Sequence, residues 1–353
     1  MSTQSPGISG YALAMFALDV GFQIDLDKAQ SFVLEATRLK VVRTRRPAPI
    51  WFDYSPPPLR LEIDGSSLKI GSTETEAAAE MLIYDFGAVL VSYRLPLPGS
   101  LSELSDLSVA LYQDETLEAD ARRRVAQVVE AIRPSIERPR ISEAVEDYSI
   151  FAITSWDESV GSTAMFESHR SEQVKRATDA TMSYSTDDLA IVDWNAALLF
   201  DPEPSDVIAV LQHANIELLE LRVLDGELDS ILDHADETLS EMINARLWPG
   251  FVSGKLLGRF ATVQTDAAVM FEGVNNAIKL LGNQYLARFY RLTAQRLDLP
   301  AWQASVQRKL DATESLYAKM SDTTATRRLE LLEWVIIILI TVSIILPFTP
   351  WYH

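Results

Sequence analysis

The sequence predicts an α+β protein with an N-terminal mixed or antiparallel sheet and packed helices. A bundle or hairpin of long helices and one C-terminal transmembrane helix follow. Three observations predict this class. Short apolar and β-branched runs bounded by proline and glycine fill much of residues 10–203, which we expect to form an α+β domain. Residues 204–330 keep a helical spacing of apolar positions and predict a bundle or stalk. Residues 331–353 contain an almost continuous apolar stretch.

Strand signals recur through the first domain, whereas residues 1–9 lack them and are expected to be disordered. We predict strands at 11–26, 59–63, 81–94, 147–156 and 189–200. The Asp64-Gly65 dipeptide predicts a hairpin turn that leads from one of these strands to a partner at 67–70. Gly87 interrupts the next apolar run and predicts that the strand either breaks or bulges there.

The helical patterns fall into two groups. Helices at 101–113 and 115–133 lie among the strands and predict a helical layer on one face of a mostly antiparallel sheet. The second group follows Ser205, a residue type that caps helix N-termini. Its members are expected at about 206–247, 252–281, 282–297 and from 299 onward. Apolar residues that recur every seventh position in the first of them predict pairing between helices, within one chain or between chains.

The apolar stretch near the end of the sequence predicts a membrane span. Its span-forming residues are Trp334, Val335, Ile336, Ile337, Ile338, Leu339, Ile340, Val342, Ile344, Ile345 and Leu346. A bilayer is crossed by about 20 apolar residues, so the span also needs Leu331 and Leu332, and Pro347 ends the helix. The alternative is a helix buried in a protein core.

The basic residues beside this stretch predict its orientation. Arg327 and Arg328 precede it, and no lysine or arginine follows it. Because positively charged flanks stay in the cytoplasm, we expect a single-pass tail anchor in the inner (cytoplasmic) membrane with the N-terminus in the cytoplasm. The lipid bilayer is then one partner of the protein.

Composition limits the chemistry that the chain can carry out. The sequence of 353 residues has a formal net charge of −19, which argues against a general nucleic-acid-binding surface. It contains no cysteine, which excludes disulfides, thiolate metal sites and cysteine nucleophiles. Only four histidines are available as general bases or metal ligands. We find no catalytic motif and assign no catalytic residue, cofactor or metal site.

Two pairs of a histidine and a glutamate have a spacing that metal ligands on a helix can have. His213 with Glu217, and His234 with Glu237, lie one helical turn apart. A metal site in a helix bundle needs such ligands to face inward from several helices. Acidic helix surfaces are common, and further aspartates lie nearby. The sequence therefore favours a solvated acidic face.

Asp225 is the polar residue that interrupts the heptad pattern and is a candidate polar site for helix pairing. One interpretation is an ion pair with Arg259, Arg288 or Arg291 on a facing helix, since such pairs fix the register of helices. The other is that Gly226 distorts the helix and Asp225 reaches water. The sequence favours neither.

A basic segment stands out against the acidic chain and is a candidate partner-binding surface. Its residues are Arg38, Lys40, Arg43, Arg45 and Arg46. Such a cluster is able to contact RNA, a ribosome or anionic lipid headgroups. The commoner use of lysine and arginine at such a place is to protect the exposed edge of a sheet, and this interpretation is favoured.

Three local motifs resemble the required-for-meiotic-nuclear-division family, also called domain of unknown function 155. Residues 82–91 resemble its aromatic-glycine-valine strand, and Asp298-Leu299-Pro300-Ala301-Trp302 resembles its proline-to-tryptophan helix start. Residues 332–340 resemble its Leu-Glu-Trp entry into the membrane. The resemblance implies an α/β part, then long helices and one span, in a non-enzymatic membrane-anchored scaffold. The mitochondrial members of that family are associated with translation at the inner membrane.

The sequence therefore predicts a membrane-anchored, non-enzymatic scaffold or adaptor with a cytoplasmic body, which binds a protein or ribosome-related partner or associates with itself through its helices. A first alternative is an oligomeric ion-conducting or ion-sensing membrane assembly, because an acidic α/β part precedes a stalk and a span. A second is a protein that acts on RNA or nucleotides, which depends only on the basic segment and the strand-rich first half.

Overall fold

A computed structural model describes residues 7–35, 41–43, 56–156, 180–183, 188–244, 258, 262 and 284–345. The chain forms two compact units. Unit 1 contains Met1–Val223 and Val269–Gln303, and unit 2 contains Leu224–Ala268 and Ala304–His353. The predicted α+β class is confirmed, because a mixed sheet with packed helices forms the first unit.

A nine-stranded sheet is the centre of unit 1. The strands in chain order are β1 (Ile8–Asp19), β2 (Gln23–Ile24), β3 (Val41–Arg43), β4 (Leu59–Ile63), β5 (Lys69–Ile70), β6 (Thr73–Glu74), β7 (Ala79–Ile83), β8 (Ala88–Pro96), β9 (Ile136–Glu137), β10 (Val145–Trp156), β11 (Thr181–Met182), β12 (Leu189–Val192) and β13 (Ala196–Phe200). The order across the sheet is β11-β12-β13-β10-β1-β8-β7-β4-β3. Its neighbouring strands are antiparallel except for β10 and β13, which are parallel. The first strand begins at Ile8, inside the segment predicted to be disordered.

Six α-helices accompany the strands in the described residues. They are α1 (Leu26–Glu35), α2 (Leu101–Gln113), α3 (Thr116–Ile132), α4 (Ser205–Asn244), α5 (Gln284–Arg296) and α6 (Leu299–Ile345). Side chains cap the N-termini of α1 and α2. An Asp25 carboxylate oxygen accepts from the backbone N–H of Lys28 at 3.0 Å, and the Ser100 hydroxyl accepts from that of Glu103 at 3.4 Å. Such caps satisfy backbone donors that the first helical turn leaves open.

The two faces of the sheet are covered by different helices. On the first face, Leu18, Leu61 and Val91 of the strands share one apolar core with Leu117 and Val125 of α3. α1 and α2 contribute to the same core. The second face packs against the part of α4 that belongs to unit 1, where the Asn215 side-chain amide donates to the backbone carbonyl of Glu146 at 3.2 Å. The sheet therefore has a helical layer on each face, rather than on the single face that the sequence predicted.

The apolar run at 81–94 breaks at Gly87 and forms a hairpin, so of the two predicted outcomes, a break or a bulge, the break is confirmed. β7 pairs with β8 in an antiparallel register, and Tyr84, Asp85, Phe86 and Gly87 connect them. Gly87 has φ of +101°, a conformation that residues with a Cβ rarely adopt. A Cβ there would lie 1.9 Å from the backbone oxygen of Gly21. Glycine is therefore required by both the turn and the close approach of two backbones.

Two other hairpins differ from the prediction. β4 pairs with β3 and β7, whereas the strand after the Asp64-Gly65 dipeptide pairs with β6 in a separate two-stranded sheet. The predicted strand at 189–200 is divided into β12 and β13, which pair with each other. The strands at 59–63 and 147–156 and the helices at 101–113 and 115–133 are confirmed within a few residues. The helix predicted at 252–281 lies outside the described residues, apart from residues 258 and 262, which are helical.

The predicted transmembrane helix is not supported. Within the described part of the chain, no helix is long and apolar enough to cross a membrane. In α6, Glu333 is the last acidic residue before Ile345, where the described helix ends.

Candidate functional site

A cavity of about 220 Å³ lies on the second face of the sheet in unit 1. The strands β1, β4, β7 and β8 form its floor, and Ser205, Ile208, Ala209 and Gln212 of α4 form a wall. The charged and polar side chains that line it from the sheet are Arg60, Glu62, Glu76, Glu80, Ser92 and Arg94. The lining is of mixed polarity, and its apolar part includes Leu13, Ala78, Ile208 and Ala209.

The strand register places three of these side chains in one row across the sheet. Glu62 of β4 is directly opposite Glu80 of β7, and Glu80 is directly opposite Ser92 of β8. Arg60, two residues from Glu62 on the same face, forms a 2.5 Å ion pair with Glu80. Among the described residues, Glu62 has no ion-pair or hydrogen-bond partner for its carboxylate. One side of the cavity is therefore acidic.

The opposite side of the cavity carries a guanidinium group. Arg94 of β8 lies over the ring of Tyr11 of β1, with 3.7 Å between the guanidinium carbon and the ring centroid. Its closest carboxylate in the described chain is that of Glu76, at 3.6 Å from Nε, which is longer than a hydrogen bond. Stacking on an aromatic face holds the planar guanidinium in one orientation while its N–H groups stay available.

Two polar side chains are buried at the cavity wall. Ser92 is 4% exposed and Gln212 is 8% exposed. No hydrogen bond joins either side chain to another residue of the described ranges, and neither carries a fully buried polar atom, so their polar atoms reach the space of the cavity. Buried polar groups are hydrogen-bonded in the great majority of cases. A hydroxyl and a carboxamide are therefore available to a molecule in the cavity.

A second polar cluster lies between α4 and the helices that follow it in unit 1. Glu217 is 2% exposed and accepts hydrogen bonds from the Tyr290 hydroxyl at 2.5 Å and from the Gln303 amide at 2.9 Å. Burial raises the pKa of Glu217. His213, one turn before it, is 1% exposed, and burial lowers its pKa to about 4. The predicted solvated acidic face is therefore wrong for this pair, because α4 is covered on both sides.

The neighbouring face of α4 holds an ion pair. Arg222 pairs with the carboxylate of Glu146 on β10, and its guanidinium lies 5.3 Å from the centroid of the Trp302 ring. Burial raises the pKa of Glu146, and the hydrogen bond from Arg222 opposes that effect. These contacts join the sheet, α4 and the start of α6 within unit 1, and we interpret them as structural. The pair His234 and Glu237 lies outside the described side chains.

In unit 2, Asp225 of α4 meets a basic residue of α6. Lys309 Nζ lies 2.8 Å from the carboxylate of Asp225 and 2.6 Å from that of Asp229. The Ser305 hydroxyl also donates to Asp225 at 3.1 Å. The basic partner is thus a lysine rather than Arg259, Arg288 or Arg291. The position of Gly226 beside Asp225 does not prevent this contact.

The basic segment lies almost wholly outside the described residues. Of its five members, Arg43 alone is described, and only through its backbone, which pairs with that of Leu61. β3 is the last strand of the described sheet on this side. That position agrees with the interpretation that the segment protects a sheet edge.

Residues 334–342 of α6, here called the apolar segment, expose large side chains on every side of the helix. The exposed fractions are 49% to 63% for Trp334, Val335, Ile336, Ile337, Ile338, Leu339, Ile340 and Val342. The one hydroxyl among them is satisfied within the helix, because Thr341 Oγ1 donates to the carbonyl of Ile337 at 2.7 Å. The described side chains of the predicted membrane span are therefore not buried against any other described part of unit 2.

Sequence reasoning found the apolar segment and Asp225 but missed the cavity. In the described residues, no group of three or more histidine, aspartate or glutamate side chains is placed to hold a metal ion. The alternation of 59–63 places Arg60 and Glu62 on the polar face of a strand. That local signal did not reveal that Glu80 and Ser92 stand opposite them.

The sheet and the start of α4 coincide with a known protein family. The family of the N-terminal domain of the uncharacterized protein MJ0711 matches residues 9–206. The chain belongs to this MJ0711 family. The uncharacterized protein MJ0711 of Methanocaldococcus jannaschii is 24% identical over 184 residues, which are 51% of this chain and 55% of that protein. The chain therefore matches about half the length of this curated relative.

The match names a different family from the one that the local motifs resemble. An uncharacterised family is shown, and it is not the required-for-meiotic-nuclear-division family. No solved structure matches the chain. The matched region of the MJ0711 family contains the strands that form the floor of the cavity.

Proposed function

We propose that the protein is a membrane-attached, non-enzymatic adaptor. The apolar segment of α6 attaches it to the bilayer, and its folded body lies on the cytoplasmic side of the inner (cytoplasmic) membrane. The observation that carries this proposal is the exposure of eight large apolar side chains on all sides of one helix. A helix that is apolar all round is found inside proteins or in lipid.

The energy of insertion supports lipid as the environment. Each of the eight side chains is about half exposed, so its transfer into an apolar phase contributes about 1 kcal/mol. Together they contribute about 8 kcal/mol, which corresponds to attachment in the micromolar range. The hydrogen bond of Thr341 to its own helix lowers the cost of placing that hydroxyl in lipid.

The charge of the chain supports insertion rather than surface attraction. A net charge of −19 repels anionic headgroups, so the apolar side chains supply the attachment. The sequence places Arg327 and Arg328 just before the segment, which favours a body on the cytoplasmic side. Attachment requires insertion of the segment and does not depend on its crossing the bilayer.

The adaptor role needs a surface for a partner. Tyr112 and Val109 lie one turn apart on α2 and are 69% and 53% exposed. Aromatic residues are enriched where proteins bind each other. A photo-crosslinking amino acid at Tyr112 should therefore capture one reproducible protein in cells, and Val109→Asp should abolish that product. Capture of no reproducible protein from this position would contradict docking on α2.

The membrane part is tested by fractionation of cells that express the full chain. We expect the protein in the membrane pellet, where it should remain after a wash with alkaline carbonate, because apolar insertion does not depend on charge. Release of the intact protein by this wash would contradict the proposal. The ribosome-related partner, the ion-conducting assembly and the RNA-acting protein stay predictions.

A further inference from the structure

We propose that the cavity on the second face of the sheet binds a small zwitterion, a molecule with one carboxylate and one ammonium group, such as an amino acid. This inference is independent of membrane attachment, because it concerns side chains of unit 1 alone. It assigns a ligand class to a site formed by Glu62, Glu80, Ser92, Arg94 and Gln212.

The acidic side of the cavity selects the ammonium group. Glu62 and Glu80 are directly opposite each other on neighbouring antiparallel strands, and like charges in that position repel. Arg60 pairs with Glu80, so one negative charge of the two is left without a partner in the described chain. An ammonium group between the two carboxylates would remove the repulsion and satisfy Glu62.

The guanidinium of Arg94 selects the carboxylate. Its orientation is fixed by the ring of Tyr11 at 3.7 Å, and its partner in the described chain is Glu76, whose carboxylate lies 3.6 Å from Nε, longer than a hydrogen bond. A guanidinium held in this way presents a fork of donors that matches a carboxylate in two parallel hydrogen bonds. Lysine at this position would lack the fork.

The strand geometry places the two ends at a distance that suits a short molecule. Glu62 is two strands away from Ser92, which is about 10 Å, and Arg94 lies two residues further along β8. The Cα atoms of Glu62 and Arg94 are therefore about 12 Å apart, and both side chains line the cavity. Two long side chains that reach toward each other over this distance leave space for a small bifunctional molecule.

The buried polar groups and the volume of the cavity support the same class. Ser92 and Gln212 are largely buried as residues, but their polar atoms, which bond to no described residue, are open to the space of the cavity. A carboxylate or ammonium group can form hydrogen bonds with them. The volume of about 220 Å³ is below the roughly 300–1,000 Å³ of sites for drug-sized ligands, so a metabolite of amino-acid size fits.

The test is calorimetric titration of the full chain in detergent micelles. The probes are the standard L-amino acids, β-alanine and γ-aminobutyrate, each added alone. We expect at least one of them to bind with a millimolar or lower Kd. The amine that lacks its carboxylate and the acid that lacks its ammonium group should each bind about tenfold more weakly or worse. Binding of no probe, or equal binding of the amine, would overturn the proposal.

Variants assign the binding to this cavity. Glu62→Gln and Arg94→Gln should each weaken the best probe by about tenfold or more. The matched controls are Glu130→Gln and Arg133→Gln, which alter an exposed pair and should leave the Kd unchanged. Equal weakening by the controls, or none by the two cavity variants, would overturn the assignment.

A further variant separates binding from folding. Gln212→Leu should not lower the melting temperature of the unliganded protein, because the amide bonds to no described residue and is open to the cavity, and it should weaken the probe. A structural role for Gln212 predicts a lower melting temperature. A lower melting temperature together with unchanged affinity would therefore remove Gln212 from the site.

Discussion

Glu217 of α4 accepts a hydrogen bond from the hydroxyl of Tyr290 of α5, with 2.5 Å between the two oxygens. The Gln303 amide donates to the other carboxylate oxygen at 2.9 Å. These contacts satisfy a carboxylate in the interior of unit 1 with neutral partners, and burial raises its pKa. They connect three helices through one titratable group. We therefore expect the unfolding free energy to depend on whether Glu217 is charged.

Glu217→Gln should make the protein progressively more stable than wild type as pH rises above about 4.5. In that range the folded state binds a proton that the unfolded state has released, so the wild type loses stability with rising pH by up to about 1.4 kcal/mol per unit. Glutamine is uncharged: its amide oxygen can accept from the Gln303 amide, and its NH2 group can donate to the Tyr290 hydroxyl oxygen. Denaturant unfolding of both proteins from pH 4.5 to 8 measures the difference, and a difference that does not change with pH would contradict the raised pKa.

His213→Gln should change how the unfolding free energy depends on pH below about 6.5. Burial lowers the pKa of His213 to about 4, below the unfolded value of about 6.5. Between these values the unfolded state binds more protons, so the wild type loses about 3 kcal/mol as pH falls from 6.5 to 4. The variant should lack this loss. The measurement is the difference in unfolding free energy between the variant and the wild type at each pH. Glu217 contributes with the opposite sign, but it is present in both proteins, so its contribution cancels in this difference.

The side chains of Asp225 and Lys309 should stabilise unit 2 through their interaction, which a coupling free energy measures. Their side chains are 16% and 21% exposed, and Lys309 also contacts Asp229. A double-mutant cycle with Asp225→Ala and Lys309→Ala should give about 0.5–1 kcal/mol, because partial exposure weakens the attraction. Asp311→Ala, at an exposed position of the same helix, is the control. A coupling energy of zero would show that the contact does not stabilise the helix pair.

Gly87→Ala should destabilise the fold strongly. The positive φ alone costs an alanine about 1–2 kcal/mol, and the added Cβ also meets the backbone oxygen of Gly21. Gly99→Ala is a matched control, since nothing lies within 4 Å of a Cβ at that position. Thermal unfolding of the two variants compares them directly. Equal melting temperatures would mean that the turn tolerates a different conformation.

Local patterns predicted those elements whose signal is complete within a few residues. The alternation of 59–63 was sufficient for β4, and amphipathic spacing was sufficient for α2 and α3. The choice between a break and a bulge at Gly87 stayed open because the two strands are largely buried on both faces and the apolar run continues across the turn. In such a run, the spacing of apolar residues does not mark where one strand ends and the next begins.

Non-local features were not predictable in the same way. His213 and Glu217 were interpreted as solvated because the sequence of a helix does not state what covers it. The sheet on one side of α4 and the helix α5 on the other decide their burial. The cavity depends on the register of three strands that places Glu62, Glu80 and Ser92 in one row. Strand register between distant segments is set by the whole fold.

The apolar segment of α6 offers the most direct test of membrane attachment. The full chain, purified in detergent, is mixed with phosphatidylcholine vesicles, the detergent is removed, and the vesicles are floated through a density gradient. Phosphatidylcholine carries no net charge, so it adds no electrostatic attraction to an acidic protein. Binding to these vesicles therefore measures apolar insertion alone. The comparison is with a triple variant of the segment, Ile336→Asn, Ile338→Asn and Ile340→Asn.

A second triple variant, Leu34→Asn, Val109→Asn and Ile141→Asn, replaces exposed aliphatic residues elsewhere on the chain and serves as the matched control. The account predicts that wild type and this control float with the vesicles, in high salt as well as low, while the segment variant stays at the bottom. Wild-type protein that fails to float, or a segment variant that floats as well as wild type, would contradict the membrane-attached adaptor.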